Sequence, residues 1–521
     1  MALVAKWKLE VGAMEQQMFD RKKLTLIIVG VLAAVLGLVF VYQFVTKGTL
    51  QLSTANLANV QIYNKTDDEA IKTIVIEENE MLRLPAGEYL VVSNTATGSS
   101  QHLVDIGRFF EKTSVVLPEV TQTGLQKVAR NAASCAVPSK GTTYSYECGY
   151  GKILRRHTPV TKDELSSYVP LRTTPLVDAV AYKAGILALG IEGVIEGNTQ
   201  VKLQYIVGGN VQRSTPLPGE LQSTINQGTQ YSLHVDGETF VVVLYDTDVR
   251  GIVSSNEALQ DASTFRRELR APGENVSFDI KDEVLLIVNG RRAVEAQDET
   301  ERTPPGETYV TTYNLSSKQD KLNETIDGPV DQAWFCGNDK LCILQDGTVS
   351  VHTATEEIPQ EFSIPLVERA VVSDGELYTT AGDESVLYKW DLIGKSATSV
   401  ADLSYLQLEQ LSDGGAQPLI TATFRGADIP ATHAFLADTP NKTYYDAAFA
   451  QLLDLPFISG LDFTGNDLHV RLLLDSARRA EGEGVDFDAA ELSAKKTELT
   501  TVLQEAGLQP NNYRLFTSVT Y

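Results

Sequence analysis

Over most of the chain apolar and polar positions alternate in short runs, each cut off by Gly, Pro, Asn or Asp. LQLS and VQIY, near residues 50 and 60, show the period of two expected of half-buried strands. From about residue 173 to 440 comparable runs recur: GILALGI, VKLQYIV, TFVVVLYD, EVLLIVNG, KLCILQ, VLYKWDL and PLITATF. None is long enough, or periodic enough at 3.6 residues, to compete as a helix. The pattern predicts a mainly β protein, and many short strands at near-regular spacing mean a sandwich, a barrel or a propeller.

Turn chemistry selects among these. Asp236-Gly237, Asp346-Gly347 and Asp374-Gly375 each sit between apolar runs, where tight hairpins within propeller blades would fall. Residues 171–440 are therefore expected to form a degenerate β-propeller of about five to seven four-stranded blades. Residues 121–170 carry a weaker pattern and read as a connector. LQKVARNAASC there reads as a short helix, and the stretch AVPSKGTTYSYECGYGK after it is rich in Gly, Ser, Thr and Tyr.

Two segments break the alternation. Residues 24–45, LTLIIVGVLAAVLGLVFVYQFV, carry no charge, and only Thr25 and Gln43 are strongly polar. Leu24, Ile27, Ile28, Val29, Leu32, Val35, Leu38, Val39 and Val45 belong to a run long enough to cross about 30 Å of hydrocarbon as a helix. Lys6, Lys8 and the triplet Arg21, Lys22, Lys23 precede it, whereas only Lys47 comes after it before Lys65. That asymmetry predicts a single span with residues 1–23 as a cytoplasmic tail and the bulk of the chain outside. The run exceeds an ordinary signal-peptide core and no clear small-residue cleavage site comes after it, so it reads as an uncleaved signal anchor. The other segment, 441–521, reads as α-β-β-α-β, a small α+β domain. Its second helix aligns Leu492, Leu499, Val502, Leu503 and Ala506 on one face and stops at Gly507.

Residues 48–120 open with GTLQLSTANLANVQIYN, turn at LPAGEYLVV and close on TSVVLPEV. This stretch resembles the PEGA-type surface domain, a resemblance that implies a small β-sandwich just outside a membrane anchor. VLYKWDL resembles the blade-closing strands of WD-type and quinoprotein-like propellers. As a whole, the order of parts resembles the anchored propeller proteins of candidate-phyla bacteria of the Saccharibacteria type, which implies a bacterial cell-surface protein.

The formal net charge of -24 argues against nucleic acid, because phosphate binding needs clustered Lys and Arg. G-x-S-x-G, H-E-x-x-H, P-loop, G-x-G-x-x-G and EF-hand patterns are missing, so neither an enzymatic activity nor a cofactor is expected. Ser493-Ala494-Lys495-Lys496 fits S-x-x-K only on the polar face of a predicted helix. None of the six histidines stands at metal-ligand spacing, and His352 and His469 read as outward strand positions. Asp246-Thr247-Asp248 and the turn 462–467 supply too few oxygens for calcium and read as ordinary turns. The spacing C-x5-C of Cys336 and Cys342 admits a metal site, a redox switch or a staple. Outside the membrane disulfides persist, and turn formers separate the two, so a staple is expected, with Cys135 and Cys148 as a second pair.

The function expected from these features is surface binding to a protein or glycan partner, in adhesion or envelope assembly, with the membrane reached through the single span. An envelope glycan-processing enzyme, needing two carboxylates or a His-carboxylate pair in the channel, is the rival reading. A structural stalk subunit is the third.

Overall fold

The computed structural model describes residues 46–520 except 66–68, 96–97, 110, 121, 123, 130–131, 140–141, 148–153, 158–168, 173–174, 196–197, 224–228, 247, 269–274, 291–306, 338, 354–359, 405, 426–431, 438–454, 465–466, 480–484 and 506–513. The predicted span at 24–45 and its basic flank Arg21, Lys22 and Lys23 lie outside the described residues. Among the described residues no helix is long and apolar enough to cross a membrane. The chain divides into two compact units, residues 46–96 with Gln101–Glu119, and Thr97–Ser100 with residues 120–521.

In the first unit, β1 (Lys47–Thr54), β2 (Ala58–Asn64), β3 (Ala70–Ile76), β4 (Asn79–Pro85), β5 (Gly87–Thr95), β6 (Gly98–Ile106) and β7 (Lys112–Leu117) form two sheets. One is ordered β4-β1-β7, with β1 antiparallel to β4 and parallel to β7; the other runs β6-β5-β2-β3. Alternation does the packing. Leu50, Leu52, Leu82, Leu84, Val115 and Leu117 turn inward from the first sheet onto Val60, Ile62, Tyr89, Val91 and Ile106 of the second.

The second unit holds seven antiparallel groups of strands among its described residues, four strands each at 135–172, 176–216, 230–267, 275–327, 332–364 and 367–402 and three at 406–437. The inner strands Leu176–Tyr182, Gln230–Asp236, Asn275–Lys281, Gln332–Phe335, Val367–Ser373 and Leu406–Asp413 each pack against the next, and Cys135–Ser139 packs against Leu176–Tyr182 on one side and against Pro418–Phe424 of the last blade on the other. The sheets are thus seven blades of a closed ring. The last blade takes its outer strand from the start of the unit: β8 (Leu125–Ala129) pairs antiparallel with His433–Ala437, Gln126 opposite Leu436. Closure therefore joins segments about 300 residues apart in sequence.

Two expectations are corrected here. LQKVARNAASC is not a helix, because Leu125–Ala129 and the residues from Cys135 onward are extended and find sheet partners in the last and first blades. The stretch expected as a connector carries a whole blade, whose strands pair as Thr143 with Pro138 and Tyr144 with Arg156. The Asp-Gly turns are as expected, each joining adjacent strands of one blade. Asp346 and Gly347, at φ 46° and 71°, and Asp374 and Gly375, at 51° and 77°, have the left-handed backbone of a type I′ hairpin.

Beyond the ring, Ile458–Thr464, Asp467–Leu473 and Arg514–Thr520 form a three-stranded sheet whose last pairing is parallel. The helix α1 (Ala489–Glu505) buries Leu499 and Leu503. With Phe457 and Leu472 these share one core with Leu403 and Leu406 of the last two blades' border. The first helix predicted in this region lies outside the described residues.

Candidate functional site

An inner strand has no strand partner on its axial side, so its backbone donors need acceptors from elsewhere. Two half-buried aspartates supply them. Asp178 accepts the N–H of Ala179 at Oδ1 and that of Leu233, in the next blade, at Oδ2, both at 2.8 Å; the Tyr146 hydroxyl donates to Oδ1 at 3.3 Å. Asp279 repeats the arrangement one blade pair further round, taking Ile280 N–H at Oδ1 and Phe335 N–H at Oδ2, again at 2.8 Å. Asp413 accepts the Ser373 hydroxyl from the preceding blade at 2.6 Å and its own turn's Gly415 N–H at 2.8 Å.

Burial pushes Asp178 up to about 6 despite those bonds. Asp279 is pushed up to about 7, first by burial and further by the charge of Asp413, against the lowering effect of its two N–H donors and Lys281. Between them in the ring His234 is half-buried, its ring edge-to-face with Phe278 of the next blade and hydrogen-bonded to Ser232 at 2.6 Å. Burial pushes it down to about 4, so it is neutral at pH 7.

The grip of Asp279 lands on a stapled turn. Cys336 and Cys342 form a disulfide with their Cα atoms 5.7 Å apart, both side chains fully buried. The turn they close puts Gly337 at φ 92° and Asp339 at φ 56°, and Cys336 N–H donates to Lys340 O at 3.1 Å. Lys281, two residues past Asp279, donates through Nζ to the Gly337 carbonyl. One blade thus holds the next by Phe335 N–H and Gly337 C=O, two groups bracketing the disulfide's first cysteine. Cys135 is also disulfide-bonded; Cys148 lies outside the described residues.

The residues weighed from sequence fall elsewhere. Asp246 and Asp248 serve Arg250, which pairs with both, and Arg266 pairs with Asp248; Arg250 also donates to Glu220 O at 2.7 Å. These carboxylates are occupied by guanidinium groups. Thr464 pairs with Asp467 across the second acidic turn. Among the described residues no cluster of His, Cys, Asp and Glu could hold a metal ion. His352 is buried, correcting the outward assignment, because Ser350 on its own strand bonds its ring at 2.8 Å. His157 is buried in the same manner against Ser145 at 2.7 Å. Sequence reading missed Asp178, Asp279 and Asp413; the available signal was a carboxylate inside an apolar strand, as in LVDAVAY and VSFDI.

In the sixth blade Trp390 of VLYKWDL is buried and donates its Nε1–H to Thr379 Oγ1 at 2.9 Å, locking two neighbouring strands. No family model and no curated protein matches the chain. Solved structures that resemble it include U3-55K, at 9% identity over 61% of this chain and 100% of that one, with a TM-score of 0.39. The Cps50 (Swd1) β-propeller domain of Myceliophteria thermophila matches at 11% over 62% and 100%, TM-score 0.39. The C-terminal WD40 domain of Sif2 matches at 12% over 75% and 96%, TM-score 0.36.

Proposed function

We propose that the chain is a membrane-anchored interaction protein that presents a seven-bladed propeller outside the cell, binding a protein or glycan partner in adhesion or envelope assembly. The observation that carries this reading is how the axial acids are used. Asp178, Asp279 and Asp413 each spend oxygens on bonds between or within blades, which makes the ring a fixed frame and leaves recognition to its loops. The apolar run 24–45 with its basic flank supports the anchor, and the disulfide-bonded Cys135, Cys336 and Cys342 of the ring support an oxidising compartment. A PEGA-like stalk in the first unit, and a bacterial surface, belong to the same reading.

The test is cross-linking on intact cells expressing the full chain, followed by recovery of the chain and identification of the molecules attached to it. The reading expects a surface protein or wall glycan bound through loops of the ring. Recovery of the chain free of any surface partner, at expression that labels it fully, contradicts it.

A further inference from the structure

We propose that the turn joining β6 to β7, centred on Phe109, rests in the interface of a lipid bilayer. The inference deepens the anchored reading of the function and rests on it. The turn lies where the chain enters the first unit. Thr49 N–H of β1 donates to Glu111 O at 2.8 Å, and Ala86 N–H, in the turn from β4 to β5, donates to Thr46 O at 2.8 Å. A β-carbon on Gly48 would stand 2.3 Å from the Gly107 carbonyl, so β1 starts in backbone contact with this turn. Only Thr46 and Lys47 separate Gly48 from Val45, the end of the apolar run, and the three steps span at most about 11 Å. A membrane that holds that run therefore lies within reach of the turn.

The turn's composition suits such a place. Phe109 is 62% exposed, an aromatic ring presented to solvent from a backbone at φ 58°, a conformation a bulky residue seldom adopts. Glu111 N–H bonded to Arg108 O closes the turn around it. An exposed Phe beside a basic side chain is a pairing found where apolar groups sink into the headgroup boundary of a bilayer. Charge is polarised along the unit in the same sense. At the entry end Lys47, Lys65, Arg108 and Lys112 balance Glu69, Glu88, Asp105 and Glu111, Lys65 pairing with Glu88 at 2.5 Å. The far end carries Glu77, Glu78 and Glu80 in and beside the turn from β3 to β4, with no basic residue among them. Basic groups at a membrane face are drawn to anionic headgroups.

Leu57 provides a matched control. It is also 62% exposed, but lies past the other end of β1, roughly 23 Å away along an eight-residue strand. The full chain carrying Phe109→Cys or Leu57→Cys is labelled with an environment-sensitive fluorophore without reduction, so that disulfides stay closed. It is then reconstituted into vesicles of equal parts phosphatidylcholine and phosphatidylglycerol. Phe109→Cys is expected to give blue-shifted emission, quenching by acyl-brominated lipid and loss of most iodide quenching, while Leu57→Cys stays open to iodide. If Phe109→Cys does not fold, Arg108→Cys in the same turn takes its place. Chain that floats with the vesicles but keeps both labels iodide-accessible overturns this inference alone. Chain that fails to float overturns the anchored reading and this inference together.

Discussion

Replacing Asp279 with Asn tests the electrostatics of the ring's axis. The carboxyl is half-buried, and desolvation raises its pKa from 3.8 to about 7. The folded state therefore keeps a proton that the unfolded chain has already lost between about pH 4 and about pH 7, so stability falls as pH rises through that window. At about 1.4 kcal/mol per pH unit, the ionised group costs roughly 4 kcal/mol above pH 7. Two backbone N–H bonds oppose that cost, and burial together with the charge on Asp413 outweighs them. Asn mimics the protonated acid in shape and in offering one acceptor. Asp279→Asn should match the parent chain near pH 4 and exceed it at about pH 8 by up to about 4 kcal/mol. Over the roughly 310 residues of the ring, at about 2.1 cal/mol/K per residue, that is a melting temperature about 6 °C higher. The assay is thermal unfolding of the full chain in detergent, monitored by tryptophan fluorescence, since Trp334 adjoins Phe335 and Trp390 lies in the next blade but one from Asp279's own. A variant less stable than the parent at pH 8 by 1 kcal/mol or more, about the worth of a lost hydrogen bond, would refute the reasoning by showing that the N–H bonds win.

Two other variants probe the staple and the closure of the ring. Cys336→Ser combined with Cys342→Ser opens a loop of six residues' separation, and the chain-entropy estimate puts the loss near 2 kcal/mol; unfolding scans should show a drop of about 3 °C, with partner binding unchanged. Gln126→Cys with Leu436→Cys should form a disulfide on mild oxidation and shift the chain's mobility on a non-reducing gel, because those positions are paired across the closing blade; no shift would mean that β8 does not complete that blade.

How far the fold was legible depended on where each strand's partner lies. Asp346-Gly347 and Asp374-Gly375 announced their hairpins because the dipeptide alone supplies two left-handed residues. The first blade was illegible because CAVPS, TTYSY and LRRH carry too few alternating apolar positions, and are held by neighbours that local pattern does not register. Leu125–Ala129 read as helix for a related reason: its partner, His433–Ala437, is distant in sequence. The carboxylates of the axis were missed because a charged residue in a strand is ordinarily an outward one. Asp178 and Asp279 point inward because the next blade's inner strand offers each an N–H, that of Leu233 and that of Phe335. His352 misled by the same alternation rule, since its serine neighbour satisfies it inside.

The central claim, a ring displayed on the outer side of a membrane, is tested most directly with Ile393→Cys, at a position 93% exposed in the turn between the last two strands of the sixth blade. Intact cells expressing the full chain are treated with a membrane-impermeant maleimide before and after permeabilisation. The account predicts full labelling of Ile393→Cys in intact cells, with labelling of Lys8→Cys only once the membrane is opened. Labelling of Ile393→Cys that waits for permeabilisation would contradict it.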